Sequence, residues 1–145
     1  MATKTLTAAN SVILLAIPRL IPVPTQLQGF ATDDVTDFES IDIAETQEGV
    51  DGKLSAGWVF KAVKMGVTLQ ADSDSNGFFE NWFSAENAVR EKYFANGSIY
   101  LPSVQRKYTM TKGVLMNYSP VPTAKKILQP RKFTIVWESV SPAGF

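Results

Sequence analysis

A strict alternation of apolar and polar side chains runs from residue 63 to residue 72. The apolar set is Val63, Met65, Val67, Leu69 and Ala71, and the polar or small set between them is Lys64, Gly66, Thr68, Gln70 and Asp72. A period of two places the apolar side chains on one face of an extended strand and the others on the opposite face. This stretch is therefore predicted to be a strand with one buried face.

The spacing of apolar residues then changes to that of a helix. Phe79, Trp82, Phe83, Val89 and Tyr93 fall on one helical face. Residues 75–77 offer N-cap chemistry, and Asn96–Gly97 provides a left-handed stop. We predict one helix over about residues 77–95, packed on the sheet by its aromatic side chains. Glu86 and Arg90 interrupt the apolar face, and their four-residue spacing predicts that they pair.

Further strands are predicted on both sides of this helix. They cover residues 12–17, 98–101, 107–117 and 133–140, the last in a central position. Pro18 to Pro24 predicts an extended connection, and Gly113 a bulge or a close approach of another group. One helix among several strands indicates an α+β, mainly β class: a β-sandwich or split barrel with one flanking helix, in a single domain over residues 1–145.

The residue types that are missing restrict the possible chemistry. The chain contains no histidine and no cysteine. It therefore lacks the commonest general base, the usual triad partner and the thiolate ligands of metal sites. No catalytic arrangement is visible among the remaining side chains, and we predict a protein that is not an enzyme and needs no cofactor.

Charge and hydropathy bear on two further classes of partner. Fourteen basic residues balance fourteen acidic ones, so the molecule lacks the net positive field that drives binding to nucleic acid. The apolar run Val12–Ile17 is too short to cross a bilayer and is followed by prolines. We expect no membrane partner and no specific binding of DNA.

The charges are nevertheless separated along the chain. Residues 33–51 carry eight carboxylates and no Lys or Arg, whereas seven of the fourteen basic residues follow position 100, where Glu138 is the only carboxylate. Opposite patches on one molecule suit head-to-tail contact between copies, although the basic half could instead bind nucleic acid. The candidate contact residues are Asp33, Asp34, Asp37, Glu39, Lys125 and Lys126. The N-terminal residues 1–10 and the segment 119–126 are further candidates.

One local motif resembles the start of a calcium loop. Asp72, Asp74 and Asn76 supply oxygen ligands at the first, third and fifth positions, and a glycine follows. The twelfth position is Phe83, where such a loop needs a bidentate Glu. The residues are predicted to form a capping turn between strand and helix, and we assign no metal to them.

Three groups of segments form a recognisable set. They are Phe30–Val35 with Gly49–Gly57, then Val67–Ser73 before the aromatic helix, then Leu101–Ser103, Lys107–Thr109, Lys112–Leu115 and Leu128–Pro130. Together they resemble phage-encoded tail proteins of the tail-tube type, found in contractile-tailed phages and related prophages. The resemblance covers most of residues 28–140. The acidity of the turn before the helix departs from the family pattern, so nothing about metal binding carries over.

The resemblance implies a β-rich body with an extended β-hairpin or loop. Six copies would form a ring, and rings would stack into a hollow tube through which DNA passes without specific binding. Tail sheath and baseplate proteins are the implied partners. The implied location is the tail of a virion assembled in the host cytoplasm.

Two other functions remain open from the sequence. The first is a baseplate or tail-completion adaptor of the same fold that forms a single ring. The second belongs to another class, a β-sandwich that binds a small ligand or carbohydrate through Trp58, Trp82 and Trp137.

Overall fold

The computed structural model of the protein describes residues 11–28, 36–58, 61–102 and 104–143. These residues form nine strands and one helix. In chain order they are β1 (Val12–Ile17), β2 (Ile21–Gln26), β3 (Thr36–Phe38), β4 (Ala44–Glu48), β5 (Leu54–Trp58), β6 (Val63–Leu69), α1 (Asn76–Val89), β7 (Ala95–Leu101), β8 (Arg106–Asn117) and β9 (Arg131–Ala143).

Seven strands form one antiparallel sheet in the order β2-β1-β7-β8-β9-β6-β3. Strands β4 and β5 form a separate two-stranded sheet, which is the extended hairpin. The large sheet stays open and is not closed into a barrel. The predicted α+β, mainly β class with one flanking helix is confirmed, and β9 lies in the sheet interior as predicted.

The core lies between one face of the sheet and α1. Strand β6 shows the predicted alternation, with every second side chain buried, and it pairs with β9 so that Met65 lies beside Ile135 and Val67 beside Phe133. The ring of Phe79 stacks on that of Phe133 at 4.2 Å. Aromatic stacking and loss of apolar surface to water thus join the helix to the sheet.

The helix is shorter than predicted. It ends at Val89, and Arg90 rather than Asn96–Gly97 adopts the left-handed conformation that stops it, with φ 60°. Tyr93 follows the helix, and its carbonyl accepts a hydrogen bond from Trp82 Nε1 at 3.1 Å. Tyr93 therefore belongs to the connection to β7, although its spacing matches the apolar face of the helix. Periodicity alone cannot distinguish a residue of the helix from one that follows it at the same spacing.

The predicted pair of Glu86 and Arg90 is wrong. Glu86 is buried and accepts a hydrogen bond from the Tyr93 backbone N–H at 2.8 Å, and its other carboxylate oxygen lies 3.3 Å from Lys92 Nζ. The carboxylate thus fastens the chain that leaves the helix, because the turn at Arg90 brings residues 92 and 93 back beside it.

Gly113 is a close-approach point, as predicted. A Cβ built on it would lie 2.5 Å from the ring of Trp137, which pairs with it across β8 and β9. The preceding residue, Lys112, has φ 51° at a shift in the register between β7 and β8. The bulge lets the β8 backbone pass beneath the indole.

Candidate assembly surfaces

The hairpin of β4 and β5 is exposed along its whole length. All ten strand residues are exposed to solvent. A turn over residues 49–53 joins the strands, with the Gly49 N–H donating to the Lys53 carbonyl at 2.9 Å and Gly52 at φ 80°. An isolated two-stranded hairpin is marginally stable in water. Its surfaces are therefore available to a partner that would stabilise it.

The two faces of this hairpin differ in polarity. Cross-strand partners share a face, so Ala44 with Trp58, Thr46 with Ala56 and Glu48 with Leu54 form one face. The other face carries the pairs Glu45 with Gly57 and Gln47 with Ser55. We call the first the apolar face of the hairpin; its Leu54 side chain is 66% exposed.

An apolar groove continues from this face onto the body of the protein. It has a volume of about 720 Å³ and is lined by Ile41, Ile43, Trp58, Lys61, Ala62, Val63 and residues 138–141. Ile41 and Ile43 are themselves exposed. Contiguous exposed apolar surface of this kind marks interaction sites in soluble proteins.

The hairpin region is also strongly acidic. Residues 36–58 contain six carboxylates and one basic residue, Lys53, a formal charge of −5. Asp37 on β3 and Glu39 after it are both exposed, and the Glu39 backbone N–H donates to the Lys64 carbonyl at 3.3 Å. Asp33 and Asp34, also predicted as contact residues, lie outside the described residues, as do residues 1–10.

The predicted basic contact residues lie on a long connection. Residues 118–130, which we call the strap, join β8 to β9. Lys125 and Lys126 are exposed near its centre. Val121 and Ile127 are 71% and 77% exposed, so the strap combines positive charge with apolar side chains in water.

Internal hydrogen bonds give the strap a defined shape. The Gln129 backbone N–H donates to the Thr123 carbonyl at 3.0 Å, and an isolated bridge joins Ala124 to Leu128. The Lys125–Lys126 pair therefore lies at the tip of a small closed loop.

Arg131 holds the base of the strap. Its side chain is 4% exposed, and its guanidinium donates to the Ser119 carbonyl at 2.6 Å and to Glu80 Oε1 on α1 at 2.9 Å. It also lies over the Phe133 ring at 5.2 Å. In the sequence, Arg131 is only one of the seven basic residues after position 100. A buried arginine between the strap and α1 has no signal in a single sequence.

The strap and the hairpin leave the sheet at opposite ends of its strands. The strap enters β9 at Arg131, which pairs with Leu69, whereas β5 leads towards Val63, which pairs with Trp137. The six residue steps from Arg131 to Trp137 span about 20 Å. The acidic hairpin and the basic strap of one copy are thus directed apart.

One margin of the sheet is poorly suited to pairing with another strand. Pro22 and Pro24 in β2 have no N–H, the Leu27 N–H donates to the Ile13 carbonyl at 2.9 Å, and the Gln28 N–H donates to Ser75 Oγ at 2.7 Å. Proline on an edge strand is a common protection against strand addition.

The Asp72–Gly77 turn is organised by its asparagine. Asn76 is buried, and its Nδ2 donates to the carbonyls of Gln70 and Ser73, both at 2.9 Å. Asp72 and Asp74 are exposed. Within the described ranges, no cluster of three or more acidic, histidine or cysteine side chains is placed to hold a metal ion. Ser75 makes no side-chain cap, so Asn76 rather than Ser75 shapes the helix start.

The three tryptophans do not form one surface. Trp82 and Trp137 are fully buried, and only Trp58 is exposed, at the hairpin base. Two of the three side chains suggested for binding a small ligand or carbohydrate are therefore part of the core.

No helix in the part of the chain that the structure describes is long and apolar enough to span a membrane.

The comparison with protein families gives a match over almost the whole chain. The model of the family described as "Tail fiber protein gp32" matches residues 4–141. No curated protein sequence matches the chain.

Chains of contractile injection systems share the fold. One from the anti-feeding prophage baseplate has a TM-score of 0.63 at 10% identity, covering 99% of this chain and 98% of that chain. One from the PVC sheath/tube terminator has a TM-score of 0.63 at 8% identity, with 99% and 100% covered. One from the anti-feeding prophage tube-terminating cap has a TM-score of 0.58 at 12% identity, with 100% and 95% covered. At these identities the similarity establishes the fold.

Proposed function

Because the chain belongs to the family of the tail fiber protein gp32, we propose that it is a structural protein whose homohexameric rings stack into a phage tail tube. Membership of this family makes it a phage-tail-like structural protein. The role in the tube, the number of copies and the passage of DNA are the proposal. In this proposal the protein works through its contacts with other copies, without catalysis or a cofactor.

The fully exposed amphipathic hairpin is the observation that carries this proposal. A monomer leaves the apolar face and the adjoining groove in water, at a cost of about 25 cal/mol for each Å² of apolar surface. Contact with neighbouring copies would bury this surface and supply the support that a two-stranded sheet lacks. Opposite charge at opposite ends of the strands favours head-to-tail contacts, which close into rings or continue as stacks.

The balance of charge supports a passive role towards DNA. The chain has no net charge, and six of its fourteen acidic residues lie in the exposed hairpin region, residues 36–58. Phosphate would be repelled there rather than held. We propose that DNA passes through the lumen without specific binding and that sheath and baseplate proteins are the other partners.

Electron microscopy and light scattering of the purified chain over a range of concentrations test the proposal. Rings of six copies that grow into tubes as the concentration rises are expected. A particle with the mass of one chain at every concentration and ionic strength would refute it.

A single-ring baseplate or tube-terminator adaptor is the second candidate. The fold shared with baseplate and terminator chains over the full length of both partners favours it. Such a protein would give hexamers that never stack in the absence of other tail proteins, and the same micrographs distinguish the two roles.

A further inference from the structure

We infer that the strap of one copy docks on the apolar face of the hairpin of another copy, with Lys125 and Lys126 facing the hairpin carboxylates. The inference rests on the proposed function and names the two surfaces that meet. Three properties of the described residues support it. The strap and the hairpin region both expose apolar side chains, they carry opposite charge, and within one chain they lie at opposite ends of β9.

The apolar match comes from side chains that water surrounds in the single chain. The hairpin offers Leu54 and the groove offers Ile41 and Ile43, and the strap offers Val121 and Ile127. Burial of large aliphatic side chains at the centre of an interface supplies most of its affinity, whereas exposed charges at its rim contribute little.

Charge sets the orientation of the contact. Glu48 lies on the apolar face beside Leu54, and Glu45 lies on the opposite face of the same strand. The strap contains two lysines and no carboxylate. Complementary charges accelerate association and disfavour the reversed pairing, in which hairpin would meet hairpin.

The partner is a second copy because the two surfaces lie at opposite ends of β9. The Arg131 contacts with Ser119 and Glu80 fix the strap base near the start of α1. The groove lies beside residues 138–141 in the later half of β9. A contact between unlike surfaces of identical chains repeats from copy to copy, which is the geometry of rings and stacks.

Cysteine crosslinking tests which surfaces meet, since the chain has no cysteine of its own. In assembled protein, the double variant Leu54→Cys with Ile127→Cys is expected to form disulfides between chains and to run as a ladder on a non-reducing gel. The control, Leu54→Cys with Val23→Cys, places the second thiol on the exposed but proline-protected β2 and should stay largely uncrosslinked. Assemblies without strap-to-hairpin disulfides would overturn the inference and leave the apolar face to a different protein.

Charge reversal provides a second, independent test. Lys125→Glu with Lys126→Glu, and separately Glu45→Lys with Glu48→Lys, should each raise the concentration needed for assembly at least tenfold. Mixing the two variants should restore assembly, because each strap then meets a hairpin of opposite charge. The control, Lys64→Glu with Lys107→Glu, makes the same change in net charge on the sheet and should assemble like the unchanged protein.

The outcomes separate this inference from the proposed function. If the unchanged chain stays monomeric, the proposed function fails. If it assembles and the reversed variants assemble equally well at low salt, the proposed function stands and the strap-to-hairpin contact is wrong.

Discussion

At the scale of single residues, two buried positions shape the body of the protein. Arg131 is a buried cation that joins the strap to α1, and Gly113 leaves room for the ring of Trp137. Neither role follows from residue type, because most arginines are exposed and many strand glycines mark bulges. The sequence indicated the position of Gly113 but not its neighbour.

Removal of the Arg131 side chain should destabilise the monomer. Arg131→Ala leaves the Ser119 carbonyl without this donor and opens a cavity beside Phe133, so the free energy of unfolding should fall by about 2–4 kcal/mol. Urea denaturation followed by tryptophan fluorescence measures it. Lys132→Ala, at the exposed neighbouring position, should change stability by about 0.5 kcal/mol or less. Equal stability of the two variants would contradict the anchoring role.

A methyl group at residue 113 should be poorly tolerated. In Gly113→Ala the added Cβ would lie 2.5 Å from the Trp137 ring, and overpacking of this kind costs about 1–3 kcal/mol. Gly57→Ala is the matched control, since a Cβ there meets nothing within 4 Å. Thermal unfolding compares the stability of the two variants. A Gly113→Ala protein as stable as the control would show that the Trp137 ring moves aside at little cost.

At the scale of elements, the sequence predicted the buried strands well and the exposed hairpin poorly. Strand β6 buries one face, so its alternation of apolar and polar residues was visible in the sequence. Strands β4 and β5 are exposed on both faces, so no alternation of apolar and polar residues marks them, and only their carboxylates distinguish this region in the sequence. The extended hairpin itself was expected only from the family resemblance. The sequence also identified Lys125 and Lys126 but missed the apolar side chains around them.

The apolar face of the hairpin should matter for assembly and not for folding. Leu54→Ser on this face, combined with Val50→Ser in the exposed turn of the same hairpin, alters side chains that are exposed in the monomer. The free energy of unfolding should therefore change by about 0.5 kcal/mol or less. Burial of a leucine contributes about 1.5–3 kcal/mol, so assembly should need at least tenfold more protein. Val23→Ser, equally exposed on β2, is the control and should assemble normally. Unchanged assembly of the double variant, measured by sedimentation, would contradict this role.

The prolines of β2 should protect that edge of the sheet. Pro22→Val with Pro24→Val restores two backbone N–H groups to an edge strand and raises its β-propensity. We expect irregular aggregates that bind thioflavin T, in place of rings. Pro130→Val, at an exposed position before β9, should not aggregate. A β2 variant that forms rings without such aggregates would mean that other features protect this margin.

At the scale of the whole molecule, the fold is a body with two projections of opposite charge. The strap enters β9 at Arg131, about 20 Å along the strand from Trp137, which pairs with Val63 on the side of the hairpin. The β2 margin carries two prolines. The two surfaces proposed to meet therefore lie on the sides of opposite ends of β6. The family makes the chain a phage-tail-like structural protein.

The mass of the smallest stable particle in solution tests this account most directly. Mass photometry of the purified chain should show six copies of 15.9 kDa, about 95 kDa, with larger particles in multiples of that mass as concentration increases. A single population at 15.9 kDa under all conditions would contradict the claim that the protein works by assembling with itself.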